Sequence, residues 1–220
     1  MPDPLRVGVL VSGTGSNLQA LIDACRGGAI GAEIALVISN VPDAPALDRA
    51  RRAGISALTV NHKDFPTVTA FEASVCQALT AHRIDLVCLA GFLRILSPAF
   101  VAAFPGRIVN IHPALLPAFG GKGMYGERVH RAVLASGARQ SGCTVHFVTE
   151  IPDGGPIIAQ ASVLVEEGDT PASLAARVAR EEHRLYPEVV RLFALGRIRL
   201  DGERVTILPP LDSGLPAEAR

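Results

Sequence analysis

The chain has 220 residues, with 21 basic and 21 acidic side chains and no formal net charge at pH 7. That balance argues against the basic face of a nucleic-acid binder and against an anionic-membrane surface. With 49% apolar residues and a mean hydropathy of +0.32 the chain can bury one large core, yet no stretch approaches the roughly 20 apolar residues of a membrane helix.

The N-terminal run MPDPLRVGVLVSG has too short an apolar core for a signal segment and breaks at a glycine turn, so a cytoplasmic protein is expected. Residues 6–11 read as a buried strand and 17–26 as a helix. A second strand follows at 34–39, then a helix near 45–53 and a short strand at 57–60. Next come a helix at 68–82, a strand at 85–90 and a short helix at 97–103, with Ser97 as N-cap before Pro98. Residues 107–111 are a fifth strand and 126–136 a helix. Residues 143–149 and 156–165 form a later strand pair joined by a turn. A long helix covers 172–195, capped by Thr170 and stopped by Gly196. The tail holds one short strand in RVTIL. Strands separated by helices predict an α/β fold: a mostly parallel, Rossmann-like open twisted sheet with helices on both faces and an antiparallel C-terminal part. Residues 1–200 are expected as one domain and 201–220 as a partly disordered extension, disordered beyond Pro209.

The turn Ser12-Gly13-Thr14-Gly15-Ser16-Asn17 follows the first strand and opens a helix. Such a turn brings main-chain N–H groups to an anion. It is not a P-loop, since no lysine is near. It is not a dinucleotide turn either, because Leu18 replaces the third small residue and the second strand ends in Asn40 rather than an acid. One phosphate fits; a plain tight turn is the other reading.

In VNIHPALLP, Asn110 and His112 lie two residues apart on a strand and so project to one side, at the carboxyl end where open α/β sheets bind ligands. Pro113 ends the strand. An amide and an imidazole there can stabilise an oxyanion; a satisfied His–Asn contact that pins the turn is the alternative. Asp153, in TEIPDGGP, is a candidate third member that would favour the charged imidazole, or else ordinary turn chemistry. His146 reads as half core, His130 and His183 fall on helices, and His62 and His82 have polar surroundings. No HxH, HxxxH or CxxC spacing exists, so no metal is expected. Cys25, Cys76, Cys88 and Cys143 read as free thiols.

Taken in order, SGTGSNLQALID, SNVPDAPALDRARRAGI, LAGFLRILSPAFV, IVNIHPALLPAF, GCTVHFVTEIPDGGPIIAQ and EEHRLYPEVV closely resemble the folate-dependent phosphoribosylglycinamide formyltransferases over about residues 5–200. The resemblance implies formyl transfer from 10-formyltetrahydrofolate to the amine of 5-phosphoribosylglycinamide. It implies that Asn110, His112 and Asp153 are catalytic. Gly13, Thr14, Gly15, Ser16 and Asn17 would hold the ribotide phosphate, and Glu182 the ribose. Folate would lie along Leu93, Arg94, Ile95 and Leu96. Leu89, Phe100, Val101, Ile108 and Val148 would wall its pteridine pocket, with residues 149–153, from Thr149 to Asp153, as the loop and Asn110 also in contact. It implies a monomer or homodimer with small-molecule substrates, and no nucleic-acid, membrane or metal partner.

Two segments depart from the family pattern. Val68 stands where relatives carry a base for the folate tail, leaving Lys63 or Arg94 to substitute. AFGGKGMYGERVH is longer and richer in glycine, and its Lys122 is either a lid residue or part of a surface loop. Formyltetrahydrofolate hydrolase and other folate-dependent formyltransferases share part of the motif set. Methionyl-tRNA formyltransferase has a larger C-terminal part, and a nucleotide-binding oxidoreductase is disfavoured by Asn40. A non-catalytic binding module leaves Asn110, His112 and Asp153 together unexplained.

Overall fold

The computed structural model describes residues 3–210. Seven strands form one sheet in the order β3-β2-β1-β4-β5-β6-β7. These are β1 (Leu5–Val11), β2 (Ala32–Ser39), β3 (Ala57–Thr59), β4 (Leu86–Leu89), β5 (Ile108–His112), β6 (Gln140–Phe147) and β7 (Ile157–Leu164). The first five are mutually parallel; β6 runs antiparallel to β5, and β7 antiparallel to β6, as expected from the turn between them. The chain winds outward from β1 in one direction, then returns to place β4 on its other side. That reversal opens a crevice at the carboxyl ends of β1 and β4.

The helices are α1 (Ser16–Cys25), α2 (Pro45–Arg52), α3 (Val68–Ala81), α4 (Pro98–Ala103), α5 (Glu127–Ala135) and α6 (Pro171–Ala194). Each strand alternates its side chains between two apolar layers. Val7, Val9, Cys88, Val109 and Val145 meet α1, α2, α5 and α6 on one face. Leu10, Val87, Leu89 and Ile108 meet α3 and α4 on the other, against Phe71, Phe100 and Phe104. Tyr186 of α6 is fully buried, and its hydroxyl is shared between the carbonyls of Leu89 and Val109, each at 3.1 Å. It thereby ties the long helix to the ends of β4 and β5.

The helix starts follow the expected chemistry. Ser97 accepts the Phe100 N–H, and Thr170 with Ser173 forms a capping box ahead of Pro171. The tail differs from expectation. RVTIL does hold a strand, β9 (Arg204–Ile207), but it pairs with an unforeseen β8 (Ile198–Asp201) in a hairpin that crosses residue 200. The exposed, alternating IRLD segment lacks the apolar run by which the other strands were legible. The disorder expected beyond Pro209 falls on residues outside those described, save residue 210. All four cysteines are free thiols; Cys88 and Cys143 are buried and Cys25 and Cys76 half-buried. Among the described residues no helix is long and apolar enough to cross a membrane, and no group of three or more His, Cys, Asp or Glu is placed to hold a metal ion.

Candidate active site

A cleft of about 730 Å³ opens at the carboxyl ends of β1, β4 and β5. Thr14, Ser16 and Asn17 line one end of it. The main chain there is sorted by polarity. The Gly13 carbonyl accepts the Ala46 N–H at 3.1 Å, and the Gly15 carbonyl accepts the Gln19 N–H at 2.9 Å. The Thr14 carbonyl accepts Arg49 Nε–H at 2.8 Å. The N–H groups of residues 14–18 find no acceptor among the described residues, and α1 has no side-chain N-cap. Carbonyls turned away and N–H groups left free make an anion cradle. Only glycine fits at position 15, where φ is +73° and a Cβ would lie 2.7 Å from Ala46 Cβ. Glu182 of α6 reaches the same end, where it accepts Asn17 Nδ2–H at 3.2 Å. Burial pushes its carboxyl pKa up, against the opposing Asn17 bond.

The other end of the cleft is a polar corner. β5 runs on past the cover of α4, so Ile108 is buried under it while Asn110 and His112 face the cleft. Asn110 pairs across the ladder with His146 of β6 and donates Nδ2–H to His146 Nε2 at 3.1 Å. His146 Nδ1 in turn donates to the Phe147 carbonyl at 2.8 Å, which fixes its tautomer. Asp153 sits between the two imidazoles, with Oδ2 3.5 Å from His112 Nδ1 and Oδ1 3.7 Å from His146 Nε2. Its backbone is left-handed, φ 55°, in the tight turn between β6 and β7. Gly155 lets that turn close, since a Cβ there would meet the Phe147 carbonyl oxygen at 1.9 Å. The segment after His112 is fastened by Thr144, which donates to the Ala114 carbonyl at 2.7 Å and accepts the Leu116 N–H at 3.0 Å.

Asp153 does favour the charged ring of His112, as expected, but burial of the ring opposes it more strongly in the free protein. Burial pushes the His112 pKa down by more than the Asp153 carboxylate and the Phe119 carbonyl raise it, and His146 lowers it further. Both ring nitrogens nevertheless face acceptors, because Nε2 donates to the Phe119 carbonyl at 2.8 Å. Asp153 itself lies below the ordinary carboxylate range. Burial opposes this, but the nearby His146 ring, the attraction of His112 and the Gly121 N–H at 2.8 Å outweigh it.

Between the two ends, Leu89, Leu93, Arg94, Ile95 and Leu96 line one wall and Val148 and Thr149 the other. Residues 93–96 are tied at both ends. Leu93 N–H donates to Ser12 Oγ at 2.8 Å, and Ser97 N–H donates to the buried carboxylate of Glu72 at 2.8 Å. Phe100, Val101 and Ile108 do not reach the cleft. They pack in the apolar layer behind that wall.

Residues 5–190 match a protein family described as Formyl transferase. The chain belongs to the formyl transferase family. This formyltransferase is similar to phosphoribosylglycinamide formyltransferase of Escherichia coli (strain K12), at 44% identity over 213 residues covering 94% of this chain and 97% of that one. It is 47% identical over 195 residues to the trifunctional purine biosynthetic protein adenosine-3 of Homo sapiens, covering 89% of this chain and 19% of that protein. The chain spans 19% or less of the length of such trifunctional relatives. The crystal structure of glycinamide ribonucleotide transformylase 1 from Symbiobacterium toebii is similar to it with a TM-score of 0.90 at 51% identity, covering 95% of this chain and 96% of that one.

Several residues of the formyltransferase's cleft escaped the sequence reading. His146 is the main one, at 2% exposure and within reach of both Asn110 and Asp153. His130 of α5 is buried at the cleft with Nδ1 unpartnered, and burial and His112 push its pKa down. Asn40, noted only for not being an acid, accepts Ser12 Oγ–H at 2.6 Å and so links the glycine turn to the wall at Leu93. Val68 is 50% exposed at the start of α3, away from the cleft; of the two substitutes, Arg94 lines the cleft and Lys63 does not. Lys122, with residues 121–126, lines the cleft mouth.

Proposed function

We propose that this formyltransferase moves the formyl group of 10-formyltetrahydrofolate to the glycinamide amine of 5-phosphoribosylglycinamide, a step of de novo purine biosynthesis. One observation carries the reading: a single cleft joins free main-chain N–H groups at residues 14–17 to the Asn110–His112–Asp153 corner, past an apolar wall. The ribotide phosphate rests on the turn of Gly13, Thr14, Gly15, Ser16 and Asn17, its ribose hydroxyls meet Glu182, and its amine points to the corner. The folate lies along residues 93–96, against Leu89, Val148 and Thr149. Phe100, Val101 and Ile108 back that pocket from the core.

The neutral amine is a nucleophile already, so attack on the formyl carbon needs no covalent enzyme intermediate. Negative charge develops on the formyl oxygen. Asn110, its amide oriented by His146, donates to it, and so does the His112 ring once Nε2 leaves the Phe119 carbonyl. The developing oxyanion strengthens the hydrogen bond from His112 Nε2–H, so the ring serves as a donor without taking up a further proton. Asp153 remains ionised and relays, through a water, the proton lost by the amine to the leaving nitrogen. The proposal places the reaction in the cytoplasm, on a monomer or homodimer, with no metal and no nucleic-acid or membrane partner. Residues 1–200 act as the catalytic domain, followed by an extension at 201–220.

The test is direct. The protein, the 10-formyl donor and the ribotide should together release deformylated pterin, and omission of the ribotide should stop the release. Release without an acceptor would make the protein a formyltetrahydrofolate hydrolase instead.

A further inference from the structure

Three carbonyls of the glycine turn are tied away from the cleft. Two ties are main-chain: Ala46 N–H to Gly13 and Gln19 N–H to Gly15. The third is the Arg49 side chain, which reaches over from α2. Its Nε–H donates to the Thr14 carbonyl at 2.8 Å and its Nη1 to Gln19 Oε1 at 3.2 Å. The stem of Arg49 passes close by, its Cδ 3.4 Å from where a Gly15 Cβ would be. Arg49 does not line the cleft. Its neighbour Arg51 pairs with Asp48 at 2.9 Å, but among the described residues no carboxylate lies within 4.0 Å of Arg49. Its charge is therefore uncompensated, and it is felt on α6, where burial and then Arg49 push the His183 pKa down.

We propose that Arg49 is a positioning residue for phosphate recognition, an inference that rests on the phosphate reading of the turn. The peptide plane between Thr14 and Gly15 carries one carbonyl and one N–H, pointing opposite ways. A flip of that plane would replace a donor to the phosphate with a repelling oxygen. The charge-assisted bond from Nε–H opposes the flip, and the uncompensated guanidinium adds favourable potential behind the anion.

The experiment is a ligand-by-variant cycle. Binding of the ribotide and of its dephosphorylated riboside is measured by calorimetry for the unmodified protein and for Arg49→Gln, together with KM for the folate donor. The unmodified protein should prefer the ribotide. Arg49→Gln should lose about tenfold of that preference, the scale of one charged hydrogen bond, with riboside affinity and folate KM within about twofold of the original. Arg49→Lys keeps the charge without a donor aimed at Thr14 and should recover only part of the loss. If Arg49→Gln does not fold, Arg49→Lys carries the same comparison. A variant that keeps the full preference overturns the inference. So does one that weakens both ligands and the folate donor alike, which would make Arg49 a general support of the fold. An unmodified protein with no preference for the ribotide overturns the phosphate reading itself.

Discussion

At the glycine turn, what the protein offers a ligand is main-chain N–H from one continuous stretch, residues 14–17, set by glycine geometry and by ties to α2. At the Asn110 corner it offers side chains from three places: β5, β6 and the turn before β7. The N–H groups of the first end carry fixed partial charge and do not themselves titrate. The second sets the ionisable pair His112 and Asp153 together, so its charge depends on pH and on what is bound. On the proposed reading binding and chemistry are separated along one cleft, and the two ends should fail differently when altered.

The largest effects belong to the corner. His112→Ala should lower kcat by about 10²–10⁴, the general acid–base range. Asn110→Ala should lower it by about 10²–10³, the scale of one oxyanion donor. Ribotide KM should hardly move in either variant. Steady-state kinetics with both substrates varied decides this, and near-normal turnover in either variant sinks the catalytic assignment. Gly15→Ala should give the opposite signature. Its left-handed φ and the contact with Ala46 force the turn to shift, so ribotide KM should rise about tenfold or more, at roughly 1–3 kcal/mol of strain, while kcat at saturation is largely kept. If kcat falls with KM unchanged, the two ends are not separable in this way.

The same contrast decides what was legible in the sequence. The glycine turn is local: SGTGSN after an apolar strand states its geometry, and the absent lysine and acid narrow the anion. Asn110 and His112 were also legible, because a period of two and a proline stop need no partner. His146 was not. It belongs to the corner only because β6 runs antiparallel to β5 in the register that sets it opposite Asn110. A shift of one residue would turn it to the other face. The downward pull of burial on the His112 pKa was hidden for a related reason. Adjacency to Asp153 can be inferred from spacing and resemblance, whereas burial comes from packing of the whole sheet. Phe100 and Ile108 pack in the layer behind the cleft wall, a distinction not legible in sequence, since an apolar residue next to a pocket and one behind it look alike.

A pH series sharpens the comparison further. The folded pKa of His112 lies below the ordinary 6.5. The fold favours the neutral ring, so its contribution to stability is full above about pH 6.5 and is lost as pH falls through the folded value. Asp153→Asn removes an attraction for the charged ring and should move the His112 midpoint lower still, read from its imidazole resonances by NMR. A midpoint above 6.5 in the free protein would show that burial is not the dominant influence, and an upward move in the variant would show that Asp153 does not attract the charged ring. The N–H groups of the glycine turn do not titrate, so phosphate affinity should follow the ligand's own ionisation together with that of Glu182, whose carboxyl pKa is raised beside Asn17.

The smallest expected effect tests whether a third region belongs to either end. Lys122 is exposed in the loop that lines the cleft mouth, and the adjacent Gly121 N–H is fixed to Asp153. If the loop acts as a lid, its ammonium approaches an anionic group of a bound substrate. An exposed charge pair is worth about 0.2–1 kcal/mol, so Lys122→Ala should raise one KM by about threefold and leave kcat within about twofold. The affected substrate says which end the loop serves: the ribotide if it extends the phosphate cradle, the folate if it covers the mouth beside Arg94. The difference between variant and original should also shrink in added salt, because an exposed pair is screened while the buried corner is not. No change in either KM leaves residues 120–126 as a surface loop, joined to the chemistry through the Gly121–Asp153 bond.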